Sequence, residues 1–146
     1  MSHVTEIKTQ IKDLQALEAA AKQLGMELVK DQKKYKWYGI AMSANSVPPG
    51  FTAADLGNCE HALRIPGNSK AYEIGVVKRK DGQPGYTLLW DNWSGGYGLT
   101  AKVGQTGENI KKEYAAQVAI KQARREGWKV KREVKPNGEA RLRLTR

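Results

Sequence analysis

The stretch YEIGVVKRKDGQPGYTLLWDNWSGGYGL, residues 72–99, decides the fold of this chain. Two apolar runs, 71–77 and 86–93, flank a break at 80–85 that is rich in Gly, Pro and Asp. Such a pair of runs is typical of a β-hairpin. This stretch is the densest in large β-forming residues, so we expect the other elements to bury their apolar faces against it.

The first 42 residues predict a strand, a helix and two further strands. Residues 4–11 alternate as a half-buried strand does. Asp13 can cap a helix with apolar residues on one side, and Gly25 can end that helix in a left-handed conformation. We expect further strands at 26–30 and 37–42.

The remaining segments complete an α+β pattern. Residues 43–57 are rich in Ser, Asn, Pro and Gly, which indicates a loop, and 59–65 predicts a strand. The helix at 108–126 carries apolar residues on more than one stripe, so we expect it to be covered on more than one side. Alternating residues at 128–145 predict a C-terminal hairpin that turns at Pro136-Asn137-Gly138.

We therefore expect one domain, residues 1–146, of the α+β class. The predicted architecture is a single, mainly antiparallel sheet with two helices packed on one face.

The positive charge is concentrated at the C-terminal end. The whole chain has a net charge of +10. Residues 1–100 hold 12 Lys and Arg against 10 Asp and Glu, whereas residues 101–146 hold 13 against 5. A basic region of this kind suits an acidic protein surface, a nucleic acid or an anionic membrane, and it also favours solubility.

The C-terminal hairpin predicts where this charge lies. Strand alternation places Trp128, Val130, Val134, Leu142 and Leu144 towards the core. The opposite face then carries cations, with Glu133 the one acid among them. The candidate binding residues for nucleic acid or another acidic partner are Arg124, Arg125, Lys129, Lys131, Lys135, Arg141 and Arg143.

Two structural explanations compete with binding at these cations. Lys and Arg on exposed strands protect against aggregation. Arg124 and Arg125 also suit the negative end of a helix dipole. Both explanations stay open on the sequence alone.

A second candidate is a ligand pocket where the central hairpin ends. Its residues are Trp90, Asp91, Asn92, Trp93 and Tyr97. The glycines at 95–98 let backbone approach a ligand closely, and two polar side chains lie between two indoles. The alternative is a strand end whose tryptophans pack on the core. Asp91 has no second titrating partner nearby in the sequence.

Other chemistry has little support. Cys59 and His61 are two residues apart without a second ligand pair, so we predict no metal site and expect His61 to face the core. The segment 104–109 lacks the ending of a nucleotide-binding P-loop, and an ordinary helix cap by Thr106 or Asn109 explains it better. We predict no cofactor and no catalytic residues, which leaves an enzyme unsupported.

The remaining bulk features point to the cytoplasm. A single cysteine excludes an internal disulfide framework and fits a reducing compartment. The charged N-terminal residues predict neither a signal peptide nor an anchor, and no apolar run approaches the length of a membrane span.

Several motifs resemble a known family. They are MSH at 1–3 with TEIKTQIKDL at 5–14, YEIGV at 72–76, LWDNW at 89–93, Tyr114-Ala115, Gly127-Trp128 and Asn137-Gly138-Glu139. The chain resembles the small conserved proteins, a domain of unknown function, encoded in red-algal plastids and cyanobacteria, with bacterial and phage relatives. The resemblance implies a soluble, intracellular α+β protein, sometimes encoded beside AAA-type ATPases. It supplies no catalytic residues.

Three functional hypotheses follow. The first is a non-enzymatic binding protein that holds an acidic partner, nucleic acid or protein, through the basic hairpin. The second is an adaptor or subunit of a larger assembly, with an AAA-type ATPase as one candidate partner, docking through the Trp37 region or the glycine loop. The third is a small-ligand binder or enzyme with its pocket at 90–97.

Overall fold

The computed structural model describes residues 2–41, 47–136 and 140–146. In chain order its elements are β1 Val4–Ile11, α1 Leu14–Gln23, β2 Glu27–Lys30, β3 His61–Arg64, β4 Ile74–Lys78, β5 Tyr86–Asp91, α2 Leu99–Val103, α3 Glu108–Arg125, β6 Lys129–Val134 and β7 Ala140–Thr145. The α+β class predicted from the sequence is confirmed.

The main sheet has five antiparallel strands in the order β1-β5-β4-β3-β2. β4 and β5 form the predicted central hairpin, in which Ile74 lies opposite Trp90 and Val76 opposite Leu88. These four side chains are almost completely buried. The stretch that is richest in β-forming residues therefore lies in the middle of the sheet.

All three helices pack on one face of this sheet, which we call the helix face. One buried cluster joins Ile74, Leu88 and Trp90 of the sheet to residues of α1, α2 and α3, among them Leu17, Ala21, Leu99, Val103 and Ile110. Asp13 caps α1 as predicted, because its Oδ1 accepts the Ala16 N–H at 3.1 Å. Gly25 follows α1 with a φ of 74°, the left-handed conformation expected there.

The opposite face is covered by irregular chain. Tyr35, Cys59, Ala62, Val77 and Leu89 form a second buried cluster there. The ring of Tyr35 lies so close to the backbone of Gly75 that a Cβ at that position would come within 2.4 Å of it.

The strand predicted at 37–42 is wrong for the residues that are described. Residues 37–41 have no strand structure, and Met42 lies outside the described residues. The side chains alternate between buried Tyr35, half-buried Trp37 and exposed Tyr38. This segment lies across the sheet and covers its opposite face. Side chains that point towards the sheet are therefore buried and their neighbours are exposed, although the backbone of residues 37–41 pairs with no strand.

The single sheet with two helices also needs correction. The C-terminal hairpin forms its own two-stranded sheet, and a third, short helix, α2, follows the glycine loop. β6 begins just after α3, which itself lies on the helix face, so the hairpin packs against α3 instead of a sheet edge. α3 is thereby covered by α1 on one side and by β6 on another, as its apolar pattern predicted.

Two predicted segments fall partly outside the described residues. Of the loop at 43–57, the described part contains a short 3₁₀ turn at Ala53–Asp55. The turn expected at Asn137-Gly138 lies outside the described residues.

Candidate functional site

Strand pairing in the C-terminal hairpin sorts its side chains onto two faces. Lys129 lies opposite Thr145, Lys131 opposite Arg143, and Glu133 opposite Arg141. Directly opposed residues in an antiparallel pair project to the same side. We call the side that carries Lys129, Lys131, Glu133, Arg141 and Arg143 the basic face. All four of its cations are exposed.

The basic face is short of negative charge. Glu133 lies opposite Arg141, and its Oε1 is 3.5 Å from Nε of Arg143. Among the described residues, Lys129, Lys131 and Arg141 make no ion pair. In the part of the hairpin that the structure describes, four cations thus share one carboxylate, and the Lys131–Arg143 pair sets two like charges side by side.

The other face of the hairpin meets α3. Val130 and Leu142 are half-buried there, and Leu144 is 45% exposed, so this side is covered less completely than the sequence predicted. The side chain of Val134 is outside the described parts of the structure. Trp128 is half-buried, and the guanidinium carbon of Arg146 lies 4.2 Å from its ring centroid.

A charged residue also lies on this inner side, and the sequence did not reveal its role. Arg132 donates two hydrogen bonds to Glu113 of α3, at 2.6 and 2.7 Å. Glu113 is 6% exposed. A bidentate pair of this kind fixes orientation as well as distance, so it holds the basic face away from α3.

The three remaining predicted cations are close to the basic face in sequence, but they are not among the paired residues of β6 and β7. Arg124 and Arg125 are exposed in the last turn of α3, where they complement the helix dipole. Lys135 is exposed just after β6.

The structure gives Asp91, in the predicted pocket, a bonding role. It is fully buried. Its Oδ1 accepts the N–H groups of His3 at 2.9 Å and Trp93 at 3.1 Å, and its Oδ2 accepts the N–H of Tyr38 at 3.1 Å. Trp90 is 1% exposed in the core, while Asn92 is half-buried. Both carboxylate oxygens of Asp91 are therefore already engaged in joining three chain segments.

The segments that Asp91 joins carry exposed hydrophobic side chains. Tyr38 is 42% exposed, Ile40 62%, Trp93 39% and Tyr97 46%. We call these four residues the aromatic patch. The Trp37 region and the glycine loop, predicted as separate docking surfaces, thus meet at one carboxylate.

The backbone of the glycine loop is unusual. Residues 94–97 all have positive φ, at 49° for Ser94 and 54° for Tyr97. A Cβ on Gly96 would lie 2.8 Å from Leu99 Cδ1, so the close approach of α2 requires glycine there. The Tyr97 ring makes an edge contact with Tyr72, with centroids 5.0 Å apart. Burial is the main cause that raises the pKa of Tyr72.

The other positions considered from the sequence have structural roles. His61 is buried, and its Nδ1 accepts the Asp31 N–H at 2.9 Å. Burial raises the pKa of the Cys59 thiol to about 12. Within the described residues, no three His, Cys, Asp or Glu side chains are grouped closely enough to hold a metal ion.

The cap expected from Thr106 or Asn109 takes another form. Gly107 occupies the cap position of α3. The backbone N–H and the hydroxyl of Thr106 both donate to Glu108 Oε2, at 2.9 and 2.8 Å. These hydrogen bonds, with that of the hydroxyl the strongest cause, lower the pKa of Glu108 to about 2.

Comparisons with known proteins gave no match to this chain. Across the described residues, no helix is both long and apolar enough to cross a membrane. No protein-family model, no curated protein and no solved structure matches the chain. The resemblance noted in the sequence motifs stays a prediction, and function has to be argued from the geometry of the sites.

Proposed function

We propose that this protein is a non-enzymatic binding protein whose basic face holds a polyanion, with nucleic acid as the partner. The observation that carries the proposal is the pairing of Lys131 directly opposite Arg143. Like charges in this position destabilise a strand pair. A phosphate group placed against both side chains would relieve that repulsion.

The form of the face suits a phosphate backbone better than a sequence-reading contact. Its side chains at the paired positions are Lys, Arg, Glu and Thr, and the aromatic patch lies on segments tied to the main sheet. Backbone contacts of Lys and Arg fix position and supply affinity without selecting a sequence. Binding should therefore be sensitive to salt and weakly selective.

The binding test uses fluorescence anisotropy at low salt, with labelled duplex DNA, duplex RNA and an acidic peptide. The double variant Lys131→Glu with Arg143→Glu should abolish binding of both duplexes. The matched control, Lys22→Glu with Lys70→Glu, changes the net charge equally at exposed positions outside the hairpin and should retain binding.

Two results would overturn the proposal. One is the absence of DNA and RNA binding by the native chain at low salt, the result expected if the cations serve only solubility. The other is an equal loss of binding in the Lys131→Glu, Arg143→Glu variant and in the Lys22→Glu, Lys70→Glu control. Binding to an acidic peptide but to no nucleic acid would identify an acidic protein as the partner instead.

A second candidate function is that of an adaptor or subunit in a larger assembly, and the aromatic patch favours it. Aromatic side chains at this exposure are typical of the central residues of protein interfaces. An AAA-type ATPase is one candidate partner, through the family resemblance alone. A cytoplasmic location fits the single, buried cysteine.

The adaptor function is tested by binding of the native chain to a purified candidate ATPase, measured by sedimentation. Trp93→Ser with Tyr97→Ser should prevent complex formation. Val118→Ser, at another exposed hydrophobic residue, should not. A complex that survives loss of the patch would contradict this assignment. The ligand-pocket hypothesis gains no support, because the Asp91 oxygens are engaged.

A further inference from the structure

A cleft lies where the β4–β5 hairpin tip meets the start of α1. Its volume is about 590 Å³, and Lys12, Lys78, Arg79, Tyr86 and residues 82–85 line it. We call it the hairpin-tip cleft. Sites for small molecules commonly occupy roughly 300–1,000 Å³. The cleft is therefore large enough for a small organic ligand.

Strand register places its main side chains together on the helix face. Tyr86 lies opposite Ile11 in β1 and opposite Lys78 in β4. Lys78 and Tyr86 are consequently cross-strand neighbours on one side of the sheet. Lys12 follows Ile11 directly, which brings a second lysine to the same end of the sheet.

The charge of the cleft is unbalanced. The Arg79 guanidinium is engaged by the Asp81 carboxylate and by the Thr9 carbonyl oxygen. Lys12 and Lys78 are exposed, and within the described parts of the chain neither ammonium group has a carboxylate partner. Two uncompensated positive charges therefore border the cleft.

A neighbouring groove differs from the cleft because carboxylates line it. The groove is about 380 Å³, shares Arg79 with the cleft and contains Glu6 and Asp81. Its Lys80 ammonium is 3.5 Å from Asp55. Arg79 and Lys80 of the groove are thus paired with carboxylates of the same molecule, whereas no carboxylate is among the described residues that line the hairpin-tip cleft.

Several contacts hold the walls of the cleft in place. A Cβ on Gly85 would lie 2.6 Å from the Ile11 carbonyl oxygen and 3.4 Å from Lys12 Cγ, so only glycine fits there. The backbone N–H of Lys12 donates to the Tyr114 hydroxyl at 3.0 Å. The Tyr86 ring meets the His61 ring edge-on, with centroids 5.5 Å apart.

We propose that the hairpin-tip cleft binds a nucleotide, with the phosphate between the Lys12 and Lys78 ammonium groups and the base against the Tyr86 ring. Paired lysines supply charge for a phosphate, and an aromatic ring supplies a stacking surface for any base. A free mononucleotide and one unit of a single strand share this chemistry. The proposal goes beyond the basic face and does not rest on it.

The test is an NMR titration of the full chain with AMP, with inorganic phosphate and with a five-residue oligothymidylate. AMP or the oligomer should shift the amide signals of residues 12, 78–83, 85 and 86 and reach saturation. Lys12→Gln with Lys78→Gln should weaken binding of all three probes at least tenfold. Tyr86→Leu should weaken the nucleotide probes about fivefold or more and leave inorganic phosphate unchanged.

The controls separate this site from the basic face. Lys22→Gln should have no effect, and Lys131→Glu with Arg143→Glu should leave AMP binding unchanged. Saturation by AMP identifies a free nucleotide as the ligand, and saturation by the oligomer alone identifies a strand. The proposal is overturned if neither nucleotide probe shifts these signals, or if the two-lysine variant, which changes only exposed side chains, binds as the native chain does.

Discussion

Arg132 and Glu113 form a bidentate ion pair that fastens the C-terminal hairpin to α3, with hydrogen bonds of 2.6 and 2.7 Å. Arg132 alternates in its strand with Lys131 and Glu133, so its inward position directs those neighbours outward. One cation thus serves as an anchor and leaves the others available on the basic face.

Loss of this anchor should destabilise the protein. Arg132→Met leaves the Glu113 carboxylate buried without its partner, a change that costs about 3 kcal/mol. The double variant Arg132→Met with Glu113→Leu removes the stranded charge and should recover most of that free energy. Urea unfolding of both variants measures the difference. A single variant as stable as the native chain would show that the pair does not hold the hairpin.

We expect the Asp91 carboxylate to stabilise the fold and not to bind a ligand. Asp91→Asn replaces one acceptor oxygen by an NH₂ group that faces a backbone N–H, so we expect a loss of about 3 kcal/mol in unfolding free energy. Asp31→Asn, at an exposed carboxylate, is the matched control and should change stability by less than about 0.5 kcal/mol. Thermal melts compare the two. Equal melting temperatures for both variants would contradict the joining role of Asp91.

The Tyr35 hydroxyl offers a substitution that should stabilise the protein. The residue is 3% exposed, and its hydroxyl has no hydrogen-bond partner among the described residues. Burial raises the pKa of Tyr35 to about 12. Because Tyr35→Phe removes an unpaired polar group and keeps the ring over Gly75, we expect a gain of about 1 kcal/mol by urea unfolding. A loss of similar size would mean that the hydroxyl is bonded in solution.

Glu108 should make part of the stability depend on pH. Its folded pKa of about 2 lies below the ordinary value of 4.5, so the ionised form is favoured by folding. The resulting stability is fully present above about pH 5 and is lost as the pH falls towards 2. Glu108→Gln should therefore be less stable than the native chain at pH 6, with a difference that shrinks by pH 2.5. Urea midpoints at the two pH values test this, and a constant difference would contradict it.

Local sequence signals predicted much of the fold. Asp13 and Gly25 bound α1 because capping depends on side-chain chemistry within a few residues. The 80–85 break predicted the central hairpin for a similar reason, since turn residues act where they stand. Alternation at 128–145 also predicted which hairpin residues share a face, because strand pleating has a fixed period of two.

Long-range packing could not be predicted in the same way. Residues 35–38 alternate in burial as part of an irregular cover of the sheet, a pattern that sequence alone does not distinguish from a strand. The partner of Arg132, Glu113, is 19 residues away on another element, so the sequence alone did not reveal this ion pair. The hairpin-tip cleft joins Lys12 to Lys78 across the sheet, so neither lysine was notable in its own segment.

The most direct test of the basic face is the salt dependence of DNA binding. The affinity falls as salt rises, and each phosphate contact that is lost brings the negative slope of log K against log salt closer to zero by about 0.9. The triple variant Lys131→Gln, Arg141→Gln and Arg143→Gln should therefore reduce the magnitude of the slope by about 2 to 3, whereas Lys22→Gln, Lys30→Gln and Lys70→Gln should leave it unchanged. A triple hairpin variant with the native slope would contradict the assignment of nucleic-acid binding to this face.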